Sequence, residues 1–159
     1  MASEIDLLLR FLDEGFDRKA WHGPNLTSAL RGLTPEQASW RPATGRNCTW
    51  DLTLHCAYWK NVVRRRLGVD PEDRFPLPGS DWLPLPEPLD DAAWRSSLRL
   101  LKDEHRKLRA AVAGLTVAEL YQPAAPNRKR PRIEHVRGIA AHDLYHAGQI
   151  RLLRRLMPS

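Results

Sequence analysis

Two histidines four residues apart, His142 and His146, are the side chains best suited to do chemistry in this chain. On a helix, positions four apart share a face with Cβ atoms about 6 Å apart, so both imidazoles can converge on one ion at about 2.0–2.1 Å from each nitrogen. A tight site needs a third ligand, and residues 147–159 contain no His, Cys, Asp or Glu. It must come from upstream. His55 and His105 both qualify, because each lies on the inward stripe of another long predicted helix, and facing helices are how bundle cores build metal sites. His135 is about 10 Å along the axis from His142 by helical rise, too far to join the pair directly.

Three neighbours have two readings each. His22, beside a predicted helix break, either lines the mouth of the pocket or holds a turn. Gln149, one turn beyond His146, is a pocket or supporting residue, or satisfies nearby backbone. Asp143 makes the string His142-Asp143-Leu144-Tyr145-His146 look like a shortened HExxH motif with Asp for the catalytic Glu. The missing downstream ligand and the shorter side chain argue against that motif, which leaves Asp143 as a solvated or helix-pairing acid. Trp59 is expected in the core and Tyr145 at an interface or surface. Two cysteines, Cys48 and Cys56, without CxxC spacing, read as buried free thiols.

The elements that must position the histidines follow from apolar periodicity. Ile5, Leu8, Leu9, Leu12 and Phe16 form one stripe of a helix over about 3–17. Pro24 interrupts it and suits the first turn of a short helix to about Arg31. Thr34-Pro35-Glu36-Gln37 reads as a capped turn, and Trp40 to Cys48 as a loop. Thr49 can cap a long helix with an inward stripe of Leu52, His55, Trp59, Val62 and Arg66, stopped at Leu67-Gly68. From Val69 to Leu89 six prolines exclude helix and central strand. A helix of about 18 residues is about 27 Å long, and about eight or nine extended residues at roughly 3.3 Å each run back along it, so this connection can set the next helix parallel to the last.

Asp90 or Asp91 caps a third long helix with Trp94, Leu98, Leu101, His105, Leu108 and Val112 on one stripe and Gly114 at its end. A short helical piece, Val117 to Tyr121, leads into a basic loop, Gln122 to Arg132. The last helix runs from about Ile133 to Leu156 with His135, Ile139, His142, His146, Gln149, Leu153 and Leu156 facing inward. Two unsatisfied imidazoles buried on that stripe would cost on the order of 1–3 kcal/mol each, which a shared metal removes. No segment alternates at period two, so the class is all-α.

With 159 residues, 42% of them hydrophobic, the chain suffices for one domain, residues 1–159. No apolar run approaches the roughly 20 residues of a membrane span, and the N-terminus carries acids where a signal peptide carries bases, so a cytoplasmic protein without membrane partners is expected. The net charge of +6 raises nucleic acid as a partner. Yet Arg64-Arg65-Arg66 and Arg151, Arg154 and Arg155 fall at predicted helix C-termini, where the dipole favours cations, and no nucleic-acid motif accompanies them. Nucleic acid is therefore not expected.

Three stretches together resemble the DinB-like (DinB/YfiT) metalloenzyme family: Trp21-His22-Gly23-Pro24-Asn25-Leu26, Trp50 through His55-Cys56-Ala57-Tyr58-Trp59, and Gly138 through His142-Asp143-Leu144-Tyr145-His146 to Ile150. Their order and spacing reach across nearly the whole chain. The resemblance implies a four-helix bundle with long connections, running up-down-down-up, often dimeric, with a metal site of one His from the second long helix and an HxxxH pair from the last. Carried onto this chain, those ligands are His55, His142 and His146, with zinc or nickel as occupant. Characterised relatives include thiol-S-transferases acting with mycothiol or bacillithiol, a mycothiol-dependent maleylpyruvate isomerase, and DNA-damage-induced proteins.

The resemblance thus implies a metal-dependent transferase that joins a low-molecular-weight thiol to a small electrophilic substrate in detoxification or stress response, with Arg151 and the loop arginines as candidates to hold the thiol's carboxylates. Metal-dependent hydrolysis and a non-catalytic metal-binding stress-response module are the alternatives.

Overall fold

The computed structural model describes residues 2–158, in which seven helices and no strand occur. Side-chain caps fix most of their starts. Ser3 and Asp6 cap α1 (Glu4–Phe16) reciprocally, and Thr34 and Gln37 do the same for α3 (Pro35–Ser39). The short α2 (Leu26–Leu30) begins two residues after Pro24, because the Asn25 side chain accepts from the Ser28 N–H at 3.0 Å and donates to the Arg18 carbonyl at 2.9 Å. Nor does Thr49 cap α4 (Thr49–Arg66). Cys48 holds that position, and Asp51, gripped by both terminal nitrogens of Arg41, accepts from the Cys48 N–H at 2.8 Å. Asp90 caps α5 (Asp91–Ala113), and α6 (Val117–Leu120) precedes α7 (Arg132–Leu156).

Contacts between the long helices give the relative directions of α4, α5 and α7. Near its start α4 meets the start of α5, with Trp50 Nε1 donating to Ser97 Oγ at 2.9 Å, and near its end Arg64 lies 3.8 Å from Glu104. These two helices therefore run the same way, as the proline-rich connection allows. Against α7 the order reverses: Lys60 pairs with Asp143, and the Leu67 carbonyl at the end of α4 accepts from Arg132 at the start of α7. α1 and α7 approach closely at Gly15, where a Cβ would lie 3.0 Å from the Ala140 carbonyl oxygen.

The apolar interior divides in two. One cluster includes Phe16, Trp50, Leu54, Ala57, Trp94, Leu101, Ala147 and Ile150; the other includes Leu8, Leu12, Val63, Leu67, Leu108, Val112, Val136 and Ile139. Each long helix crosses from one to the other through buried polar residues: Asp13, Lys60 with Asn61, Glu104 with His105, and Asp143 with His146. Arg64 joins this layer. It lies in the last turn of α4, as its basic run implies, but it is 1% exposed and engages Asp70, Asp73 and Glu104 as well as the helix end.

Two predicted stripes are rotated. On α7 the buried line runs through Val136, Ala140, Asp143, Ala147, Ile150 and Leu153. His135, His142 and Gln149 are half-buried at its edge, and Leu156 is exposed. On α4 the buried surface extends round to Cys56, Lys60, Val63 and Arg64, while Trp59, Val62 and Arg66 are half-buried.

Candidate metal centre

α4 and α7 cross so that His55, His142 and His146 meet at one side of the polar layer, with one ligand atom from each lying within 4.8 Å of the others. His142 stands in the middle. Its Nε2 is 3.1 Å from His55 Nε2 and 3.1 Å from His146 Nε2. Tetrahedral ligands at about 2.05 Å from a zinc ion stand about 3.3 Å apart, so these two separations are close to those of such a donor set, and the third pair lies within 4.8 Å.

The far sides of two rings define which nitrogen bears the proton. His55 Nδ1 lies 3.1 Å from the Asp81 carbonyl oxygen, which can only accept, so Nδ1 carries hydrogen and Nε2 presents a lone pair. His146 Nδ1 lies 2.6 Å from Gln149 Oε1, whose amide nitrogen in turn donates to Tyr145 Oη at 3.1 Å, and the same assignment follows. Two lone pairs then face His142 Nε2, which can donate to at most one of them. A cation satisfies all three nitrogens. Burial reinforces this state: it lowers His55 below its ordinary value, and, with the cost of placing a further charge beside His146, His55 and Lys60 adding to the effect for His142, holds His142 at about 3 and His146 at about 4. All three imidazoles are neutral at physiological pH.

Cys56, His142 and Asp143 form a second group close enough to share an ion. Its chemistry fits less well. Asp143 is already paired with Lys60, and complete burial pushes the Cys56 thiol well above its usual range, so the proton that a thiolate ligand must lose is held more tightly.

The triad opens into a cavity of about 860 Å³. Trp82 stacks on His55 with ring centroids 4.1 Å apart, and Trp59 donates from Nε1 to Asp81 Oδ1 at 2.7 Å. Trp59, expected in the core, is thus a half-buried wall of the pocket. Tyr145 is exposed at the surface, as expected, and there it also lines the pocket, its ring centroid 4.9 Å from that of His146. Asp81 holds a left-handed φ of 60°, a conformation uncommon outside glycine and sustained here by its bonds to His55 and Trp59.

Other candidates lie elsewhere. His105 is stacked on Phe16 at 3.7 Å and lines a different cavity, so it does not join the triad. His22 is exposed and shares a separate cleft with Arg151. None of the arginines of the basic loop before α7 lines the histidine pocket, and Arg132 spends its guanidinium on the carbonyls of Leu67, Glu119, Gln122 and Pro123. The cation that does line the histidine pocket is Arg46. Asp143 is not solvated but wholly buried and joins α7 to α4.

An all-helical protein with three convergent histidines on two long helices is the class that fold and site define. Residues 19–150, which include all three histidines, match the model of the DinB superfamily, and the chain belongs to that superfamily. No curated protein and no solved structure matches the chain. Among the described residues no helix is long and apolar enough to cross a membrane.

Because Gln149 fixes the His146 ring through Nδ1, Gln149→Ala should weaken binding of a divalent ion by about 10–100-fold without changing the number of sites. A zinc titration against a competing chelator measures this, and an unchanged affinity would show that Gln149 does not orient the ring.

Proposed function

We propose that His55, His142 and His146 hold one divalent ion, zinc or nickel, and that the protein is a metal-dependent transferase which joins a low-molecular-weight thiol to a small electrophile in detoxification or stress response. The convergence of three Nε2 atoms, two of them presenting lone pairs to the third, carries this reading. Imidazole donors suit both metals. We read the four long helices as an up-down-down-up bundle whose second and fourth members supply the ligands.

An ion held by three neutral imidazoles keeps its double charge, which lowers the pKa of a thiol or water at its open position. The chain's own residues do the rest. Asp81 and Gln149 hold the rings of His55 and His146 in register. Trp59, Trp82 and Tyr145 wall the approach with aromatic surface that favours an apolar substrate body, and Arg46 offers a guanidinium to a carboxylate.

The zinc-loaded protein should consume small electrophiles such as activated haloarenes only when a low-molecular-weight thiol is added, with product formation followed by absorbance. Equal turnover without thiol would replace this reading with hydrolysis. No turnover across a broad panel of thiols and electrophiles, with metal bound at full occupancy, would leave a non-catalytic binding module.

A further inference from the structure

The histidine pocket is not the only sizeable cavity. Another, of about 780 Å³, lies between the C-terminal half of α1, α2 with the turn after it, and the middle of α5. That volume is in the range of small-molecule sites. Its lining combines two features. Phe16, Leu30, Leu33 and Leu101, all core residues, supply an apolar floor together with Leu98. Around it stand five cationic side chains and two carboxylates. One carboxylate is already taken: Asp13 accepts from Arg109 Nε at 2.7 Å and Nη2 at 3.1 Å.

What remains is Arg31 and Lys102, which have no acidic partner among the described residues; beside them stand Asp17, Arg18, which lies 3.8 Å from Asp13, and Arg106, which donates to Asp103 at 3.0 Å. Lys102 and Arg106 are one turn apart on α5, an arrangement of like charges that is unfavourable for a helix by itself. His105 stands in the same wall, 5% exposed, and its Nδ1 has no hydrogen-bond partner among the described residues.

We propose that this cavity is a second ligand site, separate from the histidine pocket, and that it takes a small amphipathic anion: a carboxylate with a hydrocarbon body, its head among Lys102, Arg31 and Arg106 and its tail on the leucine floor. Both halves of the ligand follow from the lining. A concave apolar floor distinguishes it from a surface that tracks nucleic-acid phosphates, where cations alone would suffice. A second copy of the chain is also a poor occupant, since a two-fold interface centred here would set the same cations against themselves.

Octanoate and acetate, titrated calorimetrically into the metal-free full chain, test the proposal. Octanoate should bind once per chain and acetate at least about tenfold more weakly, because only octanoate reaches the floor. The double variant Arg31→Glu/Lys102→Glu, which changes exposed charges, and the cavity-filling Leu98→Trp should each weaken octanoate by about tenfold or more. His142→Ala should bind it as the wild type does. Acetate binding as tightly as octanoate, octanoate binding unaffected by both cavity variants, or no octanoate binding at millimolar concentration would overturn the proposal. Loss in His142→Ala alone would move the anion to the histidine pocket, which also overturns it without touching the metal assignment.

Discussion

His142→Ala is expected to abolish tight metal binding, with elemental analysis finding about one divalent ion per chain in the wild type and little in the variant. His142 is the middle member of the triad, its Nε2 3.1 Å from each of the other two. Its removal leaves two nitrogens on different helices with no bridge between them. Loss of a supporting bond to a ligand already costs about 10–100-fold in affinity, so loss of the central ligand should exceed that. The fold should survive, because the ring is only half-buried and alanine suits a helix interior. His142 belongs to both candidate groups, so His55→Ala separates them. Metal lost in His55→Ala assigns the ion to the three histidines. Metal kept in His55→Ala but lost in Asp143→Asn would assign it to Cys56, His142 and Asp143. His105 is no longer a candidate in either case, since its ring is committed to Phe16 on the wall of the other cavity.

The parts of this site that follow a helical period were legible in the sequence. His142 and His146 declare themselves by spacing, and α5 buries nearly the whole stripe from Trp94 to Val112 that its leucines mark. The rotation of α7 was not legible for a definite reason. Its innermost line passes through Ala140, Asp143 and Ala147, two small residues and an acid, which apolar periodicity does not weight. The histidines that seemed central stand where core gives way to cavity. Asp81 and Trp82 lie in the proline-rich connection, where no period exists, and only the folded path of that connection brings them against His55. Lys60 was within reach. It continues the line of Thr53, Cys56 and Ala57 towards Val63, and a lysine on so buried a line implies an acid from another helix.

That acid is Asp143, and its pairing with Lys60 leads to the largest expected effect on stability. Both side chains are 0% exposed, they are hydrogen-bonded to each other, and the Lys60 ammonium lies 5.0 Å from the centroid of the Phe16 ring. Lys60→Met keeps the shape but leaves a carboxylate buried without a cation, which costs about 3–5 kcal/mol when one partner of such a pair is removed. Urea denaturation of the metal-free protein at pH 7.5 should show that loss. The double variant Lys60→Met/Asp143→Leu should recover most of it, since apolar replacement of a whole buried pair is often neutral. The pH dependence has a definite sign. Burial already raises the Asp143 carboxyl above its ordinary value, with Lys60 opposing the rise, so removing Lys60 raises it further. A carboxyl raised in the folded state takes up a proton on folding. Its penalty is therefore absent below the unfolded value of about 3.9 and grows as pH rises through the folded one. The deficit of Lys60→Met should shrink between pH 7.5 and pH 5, while the double variant, lacking the carboxyl, should show no such change. A single variant less than about 1 kcal/mol below wild type at pH 7.5, or a deficit that widens on acidification, would mean that Asp143 does not depend on Lys60 for its charge. The polar layer dividing the two apolar clusters would then be held by Arg64, Glu104 and their partners instead.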